Sequence, residues 1–219
     1  MRKALTVVFL LLTAIGLFAS TTLRIKADTI KGSSDLISLA GNVYIEKEGE
    51  MTVETEEAEL SAVGNNWERF IATGETFATF SNGTSRSLYL DYNMNSSSGV
   101  MRNEVYAEFV ETDREGKIII SDADVLEFDL GSESYVGSSL PEDDPEFKPL
   151  FILYRDEMEI TALQFEYYSG DSLMILTGHV LIVDHKNNRT IRASELIYNT
   201  DDDSFEGKSV EMEIILEDD

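Results

Sequence analysis

Leu176-Thr177-Gly178-His179-Val180, followed by Ala193-Ser194-Glu195-Leu196-Ile197-Tyr198-Asn199, carries the pattern on which the whole chain is built. The second string opens on a small residue, with an apolar residue three places on and an aromatic two beyond that. The first is a Gly-x-Val turn set between apolar runs. Alternation of apolar and polar residues on both sides reads as strands with one apolar and one polar face. Glycine suits the turn because a sharp turn or bulge needs positive φ.

The same unit recurs in both directions. Ala162, Phe165 and Tyr167 precede Gly178. Ser87, Leu90, Tyr92 and Asn93 lead to Asn103-Glu104-Val105. Ala123, Leu126, Phe128 and Asp129 lead to Gly137. Ala27 and Ile30 lead to Gly41-Asn42-Val43, Ala58 leads more loosely to Gly74-Glu75-Thr76, and Ala193 leads to Gly207 and Val210. Units of about 30 residues predict an all-β stack, in which each unit buries its apolar face only against its neighbours. Pro141, Pro145 and Pro149 fall together in one surface loop, so no proline interrupts a strand. No linker stands out, and residues 22–219 read as one domain.

The charge narrows the function. Of 219 residues, 17 are Lys or Arg and 42 are Asp or Glu, a formal net charge of −25. A phosphate polymer needs a basic stripe, so nucleic acid is excluded as a partner. A hydrophobic content of 42% excludes a disordered chain. With no cysteine there is no disulfide framework, thiol nucleophile or zinc–thiolate site, and two histidines leave little for a metal centre.

Arg2 and Lys3 precede an apolar or small stretch over residues 4–19. A basic start, a short apolar run and small residues at its end make residues 1–21 an export signal or a membrane anchor. As a helix this stretch would cover about 24 Å, short of a hydrocarbon core of about 30 Å. Cleavage after Ala19 would set Leu17 where a small residue is usual, so retention as an anchor stays open. Either outcome puts the remainder outside the cytoplasm.

Leu23-Arg24-Ile25-Lys26-Ala27-Asp28, with Leu39-Ala40-Gly41-Asn42-Val43-Tyr44-Ile45, resembles the opening of the LptA/OstA family of lipopolysaccharide-transport proteins, and the two strings quoted first look like the same motif recurring. The resemblance spans most of residues 23–214. It implies an elongated β-jellyroll, or β-taco, of repeated antiparallel strands. It implies an apolar groove holding the acyl part of a lipopolysaccharide-like glycolipid, no catalysis and no cofactor. It also implies a periplasmic site of action, or an inner-membrane anchor facing the periplasm. Partners would be other proteins of this fold, joined end to end through terminal strands. The charge of −25 departs from what a phosphorylated lipid would favour without divalent cations, and the loop of prolines has no counterpart in the pattern.

Alternation nominates the groove-facing residues as Val43, Ile45, Val53, Phe77, Leu90, Val105, Phe109, Ile120, Ile160, Phe165, Leu176, Val180, Ile182, Leu196 and Met212. The plain alternative for each is core packing, which any two-layer β structure requires. The first strand carries Arg24 and Lys26 and the last carries Glu211 and Glu213, a polarity that favours head-to-tail over head-to-head self-association. Asp201-Asp202-Asp203 with Glu206 does not follow the EF-hand spacing and reads as a solvated turn. Glu142, Asp143, Asp144 and Glu146 read likewise. His179 and His185, six apart, would share a face but lack further metal ligands. Trp67 is the single tryptophan, a loop anchor or rim residue. The competing function is a closed, lipid-free stack serving as a structural or protein-interaction module.

Overall fold

The structure is a computed structural model and describes residues 22–64, 66–111 and 116–215; the export-signal or anchor segment lies outside them. Sixteen strands form one antiparallel sheet. They are β1 Leu23–Lys26, β2 Thr29–Gly32, β3 Leu36–Lys47, β4 Met51–Val63, β5 Asn66–Phe80, β6 Gly83–Asn93, β7 Ser98–Val110 and β8 Lys117–Asp129. Then follow β9 Ser134–Ser138, β10 Leu150–Tyr154, β11 Met158–Ala162, β12 Gln164–Tyr168, β13 Leu173–Asp184, β14 Arg189–Asn199, β15 Phe205–Lys208 and β16 Glu211–Ile214. A single turn of 3-10 helix, Ser169–Asp171, is the one helical element among the described residues.

Each long strand breaks register near its middle, as at Ala40/Val43, Glu54/Glu57, Thr73/Thr76, Arg86/Tyr89 and Thr177/Val180. These breaks align into one corner along which the sheet folds. The short strands are halves of the same element. β1 pairs with one half of β3 and β2 with the other. β9 with β10, β11 with β12, and β15 with β16 divide their neighbours in the same way. Joining those four pairs leaves twelve corner-crossing strands in simple up-and-down order. The result is two facing arms of six hairpin-linked units, hinged at the corner and meeting at a mouth.

The corner explains the repeat. Gly41 at φ +74° carries the bulge of β3, and a Cβ there would stand 2.6 Å from the Asp28 carboxylate. Gly178 at φ +77° does the same in β13, where a Cβ would meet the Leu163 side chain at 2.6 Å. The small residues sit on the inner side of the corner, paired as Thr76↔Ser87, Val105↔Ala123, Leu150↔Ala162 and Val180↔Ala193. In the second unit the small position falls three residues before Ala58: Thr55, paired with Val43, holds it, while Ala58, paired with Leu39, takes the apolar place that follows. A threonine there is accommodated because its hydroxyl is 3.1 Å from that of Thr76 and bonds the Thr73 carbonyl at 3.1 Å.

The loop of prolines, residues 139–149, is an insertion at the corner between β9 and β10. It lies along the outside of the fold, held by Lys148 to Asp122 at 3.4 Å and by Glu142 to His179 at 2.8 Å. An insertion at an outer corner leaves the pairing of β9 and β10 with β8 intact, so the strand pattern resumes after it.

Candidate functional site

The space between the arms is the one feature to which every unit contributes. In the first arm a single register row crosses all twelve strands: Ile25, Ile45, Val53, Ala78, Ser85, Ala107, Ile120, Ile152, Ile160, Ile182, Ile191 and Met212. In the second arm Ile30, Leu39, Ala58, Ala72, Leu90, Met101, Leu126, Gly137, Phe165, Leu176, Leu196 and Gly207 form the facing row. The aromatics of four units, Tyr92, Phe128, Tyr167 and Tyr198, form a third row nearer the mouth together with Phe70 and Tyr135. The repeat of small, apolar and aromatic residues is therefore three parallel stripes on the inner surface.

The arms are in contact. Phe80 and Phe109 of the first arm meet Phe128 and Tyr135 of the second, with Phe80–Phe128 at 5.3 Å and Phe109–Tyr135 at 4.2 Å between ring centroids. Tyr154 and Tyr167 face each other at 6.1 Å. Aromatic pairs at such spacing add about 1 kcal/mol each beyond the area they bury. Nearly every inner residue of the central strands is buried. Hollows open on the corner beneath the inserted loop (about 540 Å³, with Arg86, Tyr106 and Lys148), on the outer face of the second arm (about 550 Å³), and beside the turn of Asn82 and Glu111 (about 520 Å³).

Of the nominated residues, thirteen are inward and buried: Val43, Ile45, Val53, Leu90, Val105, Phe109, Ile120, Ile160, Phe165, Leu176, Val180, Ile182 and Leu196. Met212 points inward too but is 47% exposed, because its strand is the last of the sheet. Phe77 does not face the interior. On β5 the even-numbered residues Phe70, Ala72, Thr76, Ala78 and Phe80 are buried on both sides of the register break at Thr73/Thr76, so Phe77 falls on the outer face, 47% exposed. Fourteen of the fifteen thus face inward and Phe77 faces out.

The rim is polar. Glu50 accepts hydrogen bonds from the Tyr92 hydroxyl at 2.7 Å and from Ser97 at 3.2 Å. Burial and the neighbouring carboxylate push the Tyr92 hydroxyl pKa well above its usual value. Glu111 is enclosed by Arg155, Tyr154 and Tyr167. Asp184 accepts from the Asn187 side chain at 2.8 Å and from Arg189 at 2.7 Å. Burial would raise its pKa, but these bonds outweigh it and hold the carboxyl below the usual range. Nothing in the sequence pattern singles out Glu111 among 42 acids, since its partners Tyr154, Arg155 and Tyr167 lie 43, 44 and 56 residues away, whereas Asp184 finds its partners within its own hairpin turn.

The acidic turn Asp201-Asp202-Asp203 satisfies itself: Asp201 accepts from Ser172 at 2.7 Å, Asp202 from Ser204 and Asp203 from Tyr198. Among the described residues no group of three or more acidic, histidine or cysteine side chains converges on a metal position. His179 sits at the corner and His185 at a hairpin turn, where it meets Glu159 at 3.1 Å. Trp67 packs partly buried against the core.

Fold and site together define an all-β protein with one continuous apolar inner surface. No family model matches the sequence, and no curated protein matches it. Among solved structures the chain is similar to LptH from Pseudomonas aeruginosa, described as the LptA homologous periplasmic component of the conserved lipopolysaccharide transport device. Identity is 9%, the match covers 89% of this chain and 96% of that chain, and the TM-score is 0.25.

Proposed function

We propose that this chain is a non-enzymatic, lipid-binding transport protein of the cell envelope, one module of an end-to-end protein bridge. The acyl part of a lipopolysaccharide-like glycolipid would lie between the two arms, with its polar head at the mouth. The protein would act in the periplasm, free if the amino-terminal segment is removed and held at the inner membrane if it is kept.

The observation that carries this reading is that the apolar rows run uncovered out of both ends. Ile30 at one end is 54% exposed, and Met212 and Ile214 at the other are 47% and 53% exposed. A free-standing stack closes its ends with polar residues; among the described residues nothing covers the core and the strand edges at either end. Burial of each methylene between the arms would stabilise by about 0.8 kcal/mol, which needs no catalytic group.

The two ends also fit one another. The last strand runs opposite to the first, so a second copy placed after β15 and β16 continues the antiparallel order. Extending the rows sets Met212 opposite Ile25 of that copy, and Gly207 opposite its Ile30. On the outer face the same register sets Glu211 opposite Lys26, Glu213 opposite Arg24 and Glu206 opposite Lys31. Strand addition with three matched charge pairs gives a head-to-tail joint whose rate and strength depend on salt.

The second reading, a closed and lipid-free stack that joins other proteins, is favoured by the ring contacts that fill the interior, such as Phe109–Tyr135 at 4.2 Å. Native mass spectrometry of protein purified from its own envelope separates the two. A bound mass that fragments into acyl chains supports lipid carriage. A bare protein mass, unchanged after incubation with total envelope lipid, sinks it and leaves the structural module.

A further inference from the structure

The mouth is fastened by side chains as well as rings. Successive turns of the first arm each send a polar group across: Lys47 to the Met94 carbonyl, Asn82 to the Tyr135 hydroxyl at 3.4 Å, Arg155 to the Thr200 carbonyl at 3.3 Å, and Lys186 to Asp203 at 3.8 Å. One fastening is buried. The Glu111 side chain is 3% exposed, and Glu111 is the one buried glutamate among the described residues. It accepts from Arg155 Nε at 2.8 Å and Nη2 at 3.4 Å, from the Tyr154 hydroxyl at 3.5 Å, and from the Tyr167 hydroxyl. The Arg155 guanidinium also lies over the Tyr154 ring at 4.7 Å.

The division between arms is informative. Glu111, Tyr154 and Arg155 all belong to the first arm, while Tyr167 and Thr200 belong to the second. A buried ion pair adds little to a static core compared with apolar packing, and splitting one is costly. Parting the arms here splits no ion pair. The two charges stay together on the first arm, and only a neutral hydroxyl and a carbonyl are exchanged for water. Such an arrangement holds the mouth shut at Glu111 and releases it there without stranding a buried charge; the Lys186–Asp203 pair that also spans the mouth is exposed and parts into water.

We propose that the mouth is a lateral gate to the interior, with Glu111 and Arg155 as its latch and Tyr167 and Thr200 as the groups it engages. That lipid uses the gate rests on the function proposed above; that the gate opens does not.

The chain has no cysteine, so one can be placed as a reporter. Ala107→Cys lies inward on β7, midway between the ends, at a position 0% exposed. Its rate of reaction with a soluble aromatic disulfide reads opening of the interior. Adding Tyr167→Phe, which keeps the ring and removes the hydroxyl from Glu111, should raise that rate about tenfold or more, as expected for loss of a hydrogen bond to a charged group. Adding Tyr135→Phe, whose hydroxyl meets the Asn82 side chain at the long distance of 3.4 Å and no buried carboxylate at hydrogen-bond distance among the described residues, should change it little. Circular dichroism confirms that each variant is folded. Equal rates for the two phenylalanine variants would overturn the latch.

In a separate protein, Glu50→Cys and Ser97→Cys bridged by a short bis-maleimide tie the mouth, since those side chains touch at 3.2 Å. The bridged form should take up a fluorescent fatty acid at least about tenfold more slowly than the same protein unbridged, by analogy with the rate expected for a fastened mouth. Equal uptake would place access at the open ends and overturn the gate. No uptake by any form, with the reporter difference intact, would overturn lipid carriage while supporting a mouth that opens.

Discussion

Phe109 and Tyr135 stack across the mouth with ring centroids 4.2 Å apart and planes 15° from parallel, one from each arm. They belong to different strands with no hydrogen bond between those strands, β7 and β9, so their contact reports closure of the arms. Phe109→Ala should therefore cost about 3–5 kcal/mol of stability, the range for truncating a buried aromatic. Urea unfolding of the variant against the parent measures it. A loss below 1 kcal/mol would mean that the arms are not packed together in solution.

The joint between copies is open to charge reversal. Glu211→Lys with Glu213→Lys should abolish head-to-tail oligomers, and Arg24→Glu with Lys26→Glu should do the same. Mixing the two variants should restore a dimer through the one joint whose charges again match. Light scattering at low salt, then at high salt, reads this. Failure of the mixture to associate would exclude the register that sets Glu211 opposite Lys26.

Five of the nine tyrosines, Tyr92, Tyr135, Tyr154, Tyr167 and Tyr198, have hydroxyl pKa values raised, chiefly by burial. A group whose folded pKa lies above its unfolded value of about 10 adds stability that is complete below that value and is lost as pH rises beyond it. Stability should hold to about pH 10 and then fall steeply. Absorbance at the phenolate band should show these five ionising together with unfolding, after the exposed tyrosines. Free titration of all nine while circular dichroism is unchanged would contradict the buried rim.

Asp184 has the opposite sign. Its carboxyl is held below the usual range by Asn187 and Arg189 against the effect of burial. Its contribution is complete above the unfolded value of about 3.9 and is lost as pH falls through the lower folded value. Asp184→Asn should cost on the order of 3 kcal/mol at neutral pH, because Arg189 is left without its charged partner. The gap between parent and variant should narrow below about pH 4. A gap independent of pH would assign the effect to lost hydrogen bonds alone.

The corner glycines are not equivalent. Gly74 at φ +88° has open space where a Cβ would stand, whereas Gly178 would press on Leu163. Gly74→Ala should cost about 1 kcal/mol for backbone conformation, and Gly178→Ala more. Melting temperatures in the reverse order would show that Leu163 can move aside.

Much of this architecture was legible in the chain. Leu90, Leu126, Phe165 and Leu196 were placed three residues after a small residue, and all lie in the one inner row of the second arm. Tyr92, Phe128, Tyr167 and Tyr198, two places further on, all lie in the row by the mouth. Phe77 escaped because a large apolar side chain reads as an inward one, whereas the inner face of β5 holds the even-numbered Ala72, Thr76, Ala78 and Phe80, and only the burial of those neighbours shows which face is which. Thr55 escaped because a buried threonine looks polar until Thr76 is seen beside it.

Local pattern thus specified the strands, their apolar faces, the repeat and the opposite charges of the two ends, because alternation and turn chemistry act between residues close in sequence. Whether the arms stand apart or meet depends on contacts such as that of Glu111 with Tyr167, 56 residues away. No periodicity selects that carboxylate from the other acids. It acquires its role when folding at the corner brings two turns together, excludes water from between them, and leaves a charge that must find its partners there.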